Sequence, residues 1–582
     1  MIHNLPPGLI MILGALLLPF LGKRWSAWGA LALSVTSLGI FWTAPNLHSY
    51  SIELFGNELN IVRIDRLSWI FGLVFHVAAI TASIYALHVK DTKQHIAGMV
   101  YAGSAIAASC AGDLVTLFVC WELTAVSSVF LIWASGTESA YRAGMRYLII
   151  QVISGVLLLS GAILHFHETN SLVFEHFLNL DLGEKASIMD LGWGPKLILL
   201  AFGIKGAFPL LHNWLQDAYP EATPTGTVFL SAFTTKLAIY SLARGFHGME
   251  ELIWIGCAMT LFPIVFAVIE NDLRRVLAYS LNNQLGFMVV GIGIGTELSL
   301  DGTAAHAFCH IIYKALLFMS MGAVLHRVGT TKATELGGLH KSMPLTTIFC
   351  IIGGGAIAGF PLLSGFISKS MIITAAGDEH MFVVWFILLI ASAGVMEHSG
   401  IKIPFFAFFA HDSGKRVKEA PWNMLLAMSI GAFLCVALGI KYSVLYQWLP
   451  NYDPNHPYVP YTAAHVIMQL QLLLFAALAF VFLMKTKLYP AEMRSTNLDT
   501  DWVYRKALPF LIGIGGKVIA VVDKGVRFGF LWMLSGLLKW FSRLFSEKGA
   551  LGSTWSTNVM AFWAAILLGA CLVLYYIQSL AL

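Results

Sequence analysis

Long apolar stretches alternate with short polar segments along almost the whole chain. About sixteen of these stretches have the 17–25 residues that a helix needs to cross a bilayer, and each predicts a helical span. They cover residues 5–22, 26–43, 67–88, 96–111, 114–134, 142–165, 194–214, 225–246, 250–270, 275–295, 303–326, 345–376, 382–410, 421–440, 463–484 and 556–580. Two of them, 345–376 and 382–410, exceed one crossing and contain Pro361 and Pro404, which predicts broken helices.

Two other stretches do not follow this pattern. Residues 50–64 alternate apolar and polar side chains around Gly56-Asn57, which predicts a β-hairpin on the outer face. Residues 501–548 are too charged to cross, and their basic residues from Lys506 to Lys539 fall on one third of a helical wheel. This spacing predicts an amphipathic helix that lies along the membrane surface. The alternative, a disordered tail, is disfavoured by the many aromatic residues of this stretch.

The fold class predicted from these elements is an all-α polytopic membrane protein with a C-terminal lateral helix. The motif Phe-Pro-Leu-Leu occurs at 208–211 and again at 360–363, five spans later. Because five is an odd number, the two copies have opposite directions in the membrane, which indicates two inverted five-helix repeats. The predicted divisions are N-terminal helices with the hairpin at 1–95, repeats at 96–246 and 250–412, accessory helices at 413–490, the surface helix at 501–548 and a last span at 549–582.

Composition and charge agree with a membrane protein. Apolar residues make up 58% of the chain and charged residues 12%, against about 25% charged in soluble domains. The net charge of +4 is small and its basic residues are scattered, so a nucleic-acid-binding footprint is absent. The seven cysteines show no metal-binding spacing, and no flavin, NAD or iron–sulfur fingerprint occurs. The sequence therefore predicts neither a metal nor a cofactor.

Lysine and arginine concentrate in the loops that follow odd-numbered spans. The positive-inside rule places those loops in the cytoplasm. Both termini are then predicted on the outer side of the plasma (inner) membrane.

Lys205 and Lys236 lie near the middle of the spans 194–214 and 225–246. A lysine at the bilayer centre costs about 2.5–3.5 kcal/mol on insertion scales, so such residues usually have a function. Pro209 follows Lys205 by four residues and frees carbonyls beside it. The alternative is a lysine whose amine extends to the headgroups, which the ten apolar residues before Lys205 disfavour.

Glu122 lies in the middle of the fifth span. A nearby lysine would let this carboxylate ionise and would keep the lysine charged. A Glu–Lys pair whose attraction changes when one partner moves can act as a proton switch. A static structural ion pair is the alternative.

His306, His310 and Lys314 follow one another at intervals of four residues, so they share one face of a helix. Histidine titrates near neutral pH, which suits a proton relay. The competing interpretation, a haem or metal site, is disfavoured because bis-His haem ligands come from facing helices and no carboxylate completes a metal set. The candidate transport residues are Glu122, Lys205, Lys236, His306, His310, Lys314 and Lys369, whereas Glu397, His398 and Lys402 receive no role.

Five motifs, in this order, carry a resemblance to a known family. They are Trp121-Glu122, KGAFPLLHNWL at 205–215, DLRRVLAYSLNNQLGFM at 272–288, the row from His306 to Lys314, and FPLLSGFISK at 360–369. Over about residues 60–440 the chain resembles the antiporter-like subunits shared by respiratory complex I, Mrp-type cation/proton antiporters and membrane-bound hydrogenases.

This resemblance implies a proton-translocating subunit of a multi-subunit complex, with protons and Na⁺ as candidate ions and other membrane subunits as partners. Glu122 and Lys205 would be the switch pair, Lys236 the central relay lysine, His306, His310 and Lys314 the onward link, and Lys369 the exit residue. No redox chemistry of its own is expected. Lys236 resembles the lysine that D-type Mrp and hydrogenase members carry in the eighth span. The complex I paralogue with a lateral helix instead carries a histidine one to two turns earlier, where this chain has Leu230.

Two further features bear on the choice of family member. The lateral helix is short for the complex I paralogue, and the chain lacks the long loops of the A-type Mrp member. The D-type Mrp member is therefore favoured, with a pumping subunit of complex I or of a hydrogenase as the alternative. A purely structural scaffold is a third class, which would not need seven buried ionisable groups.

Overall fold

The computed structural model of the chain describes residues 4–44, 48–54, 56–178, 180–489, 493, 497, 499–546, 548–549, 551–552 and 554–580. These residues belong to two compact units, Met1–Asn497 and Leu498–Leu582. Within the described ranges, the chain is mostly helical and contains one two-stranded sheet.

The first unit begins with helices that flank a β-hairpin. Its elements are α1 (Leu9–Ala15), α2 (Gly22–Trp42), β1 (His48–Leu54), β2 (Asn57–Ile64) and α3 (Arg66–Tyr85). The strands pair antiparallel from His48 opposite Ile64 to Leu54 opposite Asn57, and Gly56 takes the positive φ of 76° that the turn requires. The hairpin therefore lies where the alternating pattern predicts it.

Asp65 connects the hairpin to the helices. Its side chain caps α3 by accepting from the Ser68 backbone N–H, and it forms an ion pair of 2.8 Å with Arg244. Burial alone would raise the pKa of the Asp65 carboxyl, but the Arg244 guanidinium beside it holds that pKa well below its usual range. The pair fixes α3 against the end of a later helix.

The next group of helices carries the first motifs. These helices are α4 (Thr92–Ser109), α5 (Leu114–Trp133), α6 (Glu138–Thr169), α7 (Trp193–Lys205), α8 (Asn213–Ala218), α9 (Pro224–Ala232) and α10 (Thr234–Gly245). Polar side chains cap several of them. Asp113 accepts from the Thr116 N–H at the start of α5, and Thr137 accepts from the Ala140 N–H at the start of α6.

The remaining helices of the first unit include one broken span, 345–376, whereas the break predicted at Pro404 is absent and Phe382–Phe409 is helical throughout. These helices are α11 (Glu250–Ile269), α12 (Leu273–Ile294), α13 (Glu297–Val328), α14 (Pro344–Ala358), α15 (Ser364–Asp378), α16 (Phe382–Val395), α17 (Lys402–Pro404), α18 (Trp422–Ile440), α19 (Tyr442–Tyr446) and α20 (Ala463–Lys485). Two π-helical segments, Met396–Ile401 and Phe405–Phe409, flank the short α17.

The second unit contains α21 (Leu508–Leu544) and α22 (Thr557–Leu580). A π-helical turn, Val503–Ala507, leads directly into α21, whose 37 residues span about 55 Å at 1.5 Å per residue. Pro509 stands directly after the π-helical turn, at the second position of α21, and does not break the helical run. The stretch predicted as a surface helix is thus continuous over Leu508–Leu544.

Eleven helices of the described chain are long and apolar enough to cross a membrane. The other predicted spans are also helical. They are either divided into shorter pieces, as α7–α8 and α14–α15 are, or carry polar residues inside the span, as α12 does. The chain is therefore a multi-pass membrane protein.

Among the eleven candidate spans, α13 and the α9–α10 pair are the most deeply buried. These two spans carry the candidate residues Lys236, His306, His310 and Lys314. The core of the first unit therefore coincides with the region where the sequence places its central ionisable side chains.

Candidate functional site

Lys205 is the last residue of α7, and its side chain is fully buried. Its Nζ donates to the Trp121 carbonyl at 2.6 Å and to the Thr124 hydroxyl at 2.9 Å. The same amine lies 4.3 Å from the centroid of the Trp121 ring, a distance at which a cation is attracted by the aromatic face. Helix α5 therefore binds the Lys205 amine through a carbonyl, a hydroxyl and an indole.

Glu122 lies beside this lysine site, with its carboxylate close to Gly155 of α6. A methyl group added to Gly155 would stand 1.4 Å from Glu122 Oε1, so only glycine leaves room for the carboxylate. Among the described residues, Glu122 Oε1 is buried without a hydrogen-bond partner. Glu122 and Lys205 interact electrostatically, but the hydrogen bonds of the amine go to neutral groups. The predicted switch pair is thus a pair of neighbours without a direct hydrogen bond.

Trp121 connects three helices around this pair. Its indole N–H donates to the Ser154 hydroxyl at 3.0 Å, and Ser154 donates to the Ala201 carbonyl at 2.8 Å. Because these bonds join α5, α6 and α7, they fix the position of the carbonyl that accepts from Lys205.

Lys236 lies in the first turn of α10, directly after the break that separates α9 from α10. Its side chain is fully buried, and its Nζ donates to the Ser231 carbonyl at 2.6 Å. The last carbonyls of a helix have no partner within the helix. The break therefore provides the acceptor that holds the Lys236 amine.

His306, His310 and Lys314 are all fully buried on α13. The rings of His306 and His310 have centroids 6.1 Å apart. His306 Nδ1 lies 2.9 Å from the Ser368 hydroxyl, which joins α13 to α15. Within the described chain, both ring nitrogens of His310 lack a hydrogen-bond partner, and so does Lys314 Nζ. Buried polar groups without partners are costly and call for a functional explanation.

A polar network beside these histidines was not predicted from the sequence. Tyr313 donates to Gln284 Oε1 at 3.1 Å, and Gln284 donates to Asn283 Oδ1 at 2.6 Å. Asn283 in turn donates to the Thr260 carbonyl. The signal that would have found it is the run Asn282-Asn283-Gln284 inside an otherwise apolar span.

Lys369 lies on α15 and is 2% exposed. Its Nζ donates to the Ile357 carbonyl at 2.7 Å and lies 5.1 Å from the centroid of the Phe287 ring. Ile357 is in the last turn of α14, so this lysine also uses a carbonyl that a helix end leaves available.

The two Phe-Pro-Leu-Leu motifs adopt the same local backbone. In each motif the phenylalanine N–H donates to the carbonyl five residues earlier, at 3.0 and 2.9 Å. The third residue of each motif, Leu210 or Leu362, has a positive φ of 70° or 73°. A positive φ is unusual for leucine, so its occurrence at equivalent positions indicates the same turn in both copies.

Lys402 was left without a role by the sequence, and the structure gives it a structural one. Its Nζ donates to the carbonyls of Ala267, Val268 and Glu270, at 3.3, 2.6 and 2.7 Å. These carbonyls lie at the C-terminal end of α11, where helices leave acceptors unpaired. Lys402, the first residue of α17, thus fastens the end of α11 to α17.

Replacing Lys402 by methionine is therefore expected to lower the stability of the protein. Each buried carbonyl left unpaired costs about 1–3 kcal/mol, so we expect a clear fall in the thermal unfolding midpoint. Thermal unfolding of the purified protein in detergent measures this effect. Lys418→Met, at an exposed lysine, is the control, and an unchanged midpoint in Lys402→Met would contradict the assignment.

Among the described residues, no group of three or more His, Cys, Asp or Glu side chains is arranged to hold a metal ion. The seven cysteines are free thiols, six of them buried.

Comparison with known proteins shows which family of sequences the chain resembles. Residues 111–395 match the family described as NADH:quinone oxidoreductase/Mrp antiporter, TM. The chain is similar to the D-type component of the Na⁺/H⁺ antiporter of Alkalihalophilus pseudofirmus, with 29% identity over 58% of this chain and 70% of that protein. It is 28% identical to the A-type component from the same organism over 71% of this chain, but the match spans only 56% of that longer protein.

The fold is also similar to a solved structure. It matches a chain of the Mrp complex from Dietzia sp. DQ12-45-1b with a TM-score of 0.74 and 22% identity, over 91% of this chain and 62% of that chain. At this identity the likeness concerns the fold.

Proposed function

We propose that this chain, which belongs to the NADH:quinone oxidoreductase/Mrp antiporter family of membrane subunits, moves protons along its buried row of ionisable residues. In this proposal Glu122 modulates Lys205, Lys236 is the central carrier, and His306, His310 and Lys314 pass the proton on. Lys369 is the exit residue. The chain itself carries out no redox chemistry.

One observation carries the proposal: among the described residues, no carboxylate is bound to the amines of four buried lysines. Lys205, Lys236 and Lys369 donate to backbone carbonyls, and Lys314 has no hydrogen-bond partner among the described residues. A permanently charged buried amine needs a counter-charge, because its desolvation is expensive. Carbonyls accept from a neutral amine as well as from a charged one, so these lysines can gain and lose a proton in place.

The packing of the helices supports an order for the row. Helix α7, which carries Lys205, packs against α10, which carries Lys236. Helix α10 packs against α13 with its two histidines, and α13 packs against α15 with Lys369. Each carrier therefore lies on a helix next to that of the following carrier, and a proton need not cross an intervening helix.

We also propose the finer architecture: about sixteen spans, in which 96–246 and 250–412 form inverted repeats. The equal backbone turns at the two Phe-Pro-Leu-Leu motifs support this repeat. With this count, both termini lie on the outer side of the plasma membrane.

The most suitable role in a complex is that of the D-type member of an Mrp-like antiporter, with Na⁺ as the exchanged cation. The names of the similar A-type and D-type components of Na⁺/H⁺ antiporters support this choice. So does the central lysine of the eighth predicted span. The alternative is the pumping subunit of a redox-driven complex, either complex I-like or hydrogenase-like. The NADH:quinone oxidoreductase members of the matched family favour this alternative.

Partner subunits are part of the proposal. Phe528 and Trp532 of α21 are each 73% exposed. Apolar surface of this kind marks contact with lipid or protein. If α21 lies across neighbouring subunits, those subunits would cover these side chains.

Reconstitution of the complex that contains this chain tests the function. A pH-sensitive dye in proteoliposomes reports proton movement after a Na⁺ or K⁺ gradient is imposed, or after an electron donor and quinone are supplied. We expect a response to Na⁺ that is lost in a complex prepared without the chain. A response to the electron donor alone would favour the redox-driven alternative, and no response under either condition would contradict proton transport.

A further inference from the structure

A small cavity lies beside Lys369, between α15 and the first turns of α20. Its polar lining comes from Lys369, Ser370, Thr374, His465 and Gln469. The cavity offers about 20 Å³ to water, which is room for about one molecule. Lys369 and His465 therefore line the same small cavity.

His465 stands at the far side of this cavity, held between two hydrogen bonds. Its Nε2 lies 3.4 Å from the Thr374 hydroxyl, and its Nδ1 lies 3.2 Å from the Pro460 carbonyl. A carbonyl only accepts, so Nδ1 carries the hydrogen in this arrangement and Nε2 keeps a lone pair. The nitrogen that can accept a proton thus faces the cavity side.

Tyr458 completes the cluster around His465. Its hydroxyl lies 3.0 Å from Thr374 Oγ1, and its ring stacks on the imidazole with centroids 6.1 Å apart. Gln469 closes the inner end by donating to the Ala358 carbonyl at 3.0 Å. The imidazole is therefore fixed in position by groups from α15, α20 and the loop before α20.

Side-chain burial decreases from Lys369 to His465. Lys369 is 2% exposed, whereas Ser370, Thr374, Tyr458 and His465 are only half-buried. Thr374 lies five residues beyond Lys369 on α15, about 7.5 Å further along the helix. The path therefore leads from the buried Lys369 towards the surface formed by the loop before α20.

We propose that His465 is the terminal proton carrier, which takes the proton of Lys369 by way of the Thr374 side of the cavity and releases it at the surface. The Lys369 ammonium loses one proton and becomes a neutral amine. His465 gains that proton on Nε2 and then releases one proton to bulk water, so the imidazole returns to its neutral form. This inference rests on the proposed function and extends it to a residue outside the matched range 111–395.

The test uses three variants in the reconstituted complex. His465→Ala is expected to lower proton translocation about tenfold or more, because a positioned acid–base group typically contributes 10²–10⁴-fold. His465→Gln can still bond Thr374 and Pro460 but cannot carry a proton, so it should be as slow as the alanine variant. His456→Ala, at an exposed histidine of the same loop, should transport at the wild-type rate.

Imidazole rescue separates proton transfer from structure. Adding imidazole to the buffer should restore transport in His465→Ala and leave the glutamine and wild-type proteins unchanged. If glutamine transports as well as histidine, or if imidazole has no effect on an assembled alanine variant, His465 is not a carrier. Loss of proton movement in the wild-type complex would instead contradict the proposed function itself.

Discussion

Replacing Lys236 by alanine is expected to abolish proton translocation while the complex still assembles. Lys236 is the only member of the proposed row on α10, the helix that packs against both α7 and α13. Its amine is buried and held by the Ser231 carbonyl at 2.6 Å. An alanine leaves that position without a proton carrier, and losing such a group typically costs about 10²-fold or more.

Substitutions that keep a basic group at this position test deprotonation directly. Lys236→His retains a titratable side chain and should retain part of the activity. Lys236→Arg retains the positive charge, but its guanidinium does not deprotonate in proteins, so it should be inactive. Both variants are compared with wild type for ΔpH-driven cation exchange and for proton pumping, at equal amounts of assembled complex.

Lys196 on α7 provides the matched control. It is half-buried and lies 5.4 Å from the Trp193 ring, outside the row, so Lys196→Ala should transport normally. If Lys236→Arg transports as well as the wild type, deprotonation at this position is not part of the mechanism, and Lys236 serves only as a fixed charge.

The broken helices were predictable from the sequence because proline has a local physical effect. Pro209 and Pro361 lack an N–H and clash with the preceding turn, and α7 and α14 end a few residues before them. Pro263 and Pro404, in contrast, lie in stretches that stay helical. Buried lysines near those breaks follow from the same reasoning, since an amine inside the membrane needs oxygen atoms and a broken helix offers them. The hairpin was predictable from strict alternation around Gly56-Asn57.

The hydrogen-bond partners of the lysines were not predictable in the same way. The sequence suggested Glu122 as the partner of Lys205, whereas the amine bonds to the Trp121 carbonyl and to Thr124. Every residue has a backbone carbonyl, so the acceptor leaves no signal in the sequence. Which carbonyl is used depends on how two helices are placed against each other.

Contacts over long sequence separation account for the other omissions. Ser368 meets His306 and Gln284 meets Tyr313 only because α12, α13 and α15 pack together. The π-helical segment Met396–Ile401, which precedes Lys402, has no composition that distinguishes it from an α-helix. Periodicity predicts which face of a helix is polar, but it does not identify the helix on the other side.

Replacing Glu122 by glutamine is expected to slow proton translocation about tenfold. The Lys205 amine is held by neutral groups, so the charge that influences its protonation is supplied by a neighbour rather than by a bonded partner. At an effective dielectric constant of about 20, two charges about 10 Å apart interact by about 1.7 kcal/mol, which corresponds to a factor on the order of ten in a rate. Proton translocation by the reconstituted complex measures this change.

Packing should not change in this variant, because glutamine has nearly the volume of glutamate. The side chain can keep its place against Gly155, where a Cβ would stand 1.4 Å from Oε1. Gly155→Ala is a useful companion, since it must displace the carboxylate and should slow transport while Glu122 keeps its charge. Native gels establish that each complex is assembled.

Glu138→Gln is the matched control for the charge. Glu138 lies on α6 and is exposed, where it pairs with Arg142 at 2.8 Å, and exposed pairs of this kind contribute little. We expect wild-type transport from this control, from the same assembled amount of complex. If Glu122→Gln also transports at the wild-type rate, the carboxylate does not influence Lys205, and the row works without a switch at this end.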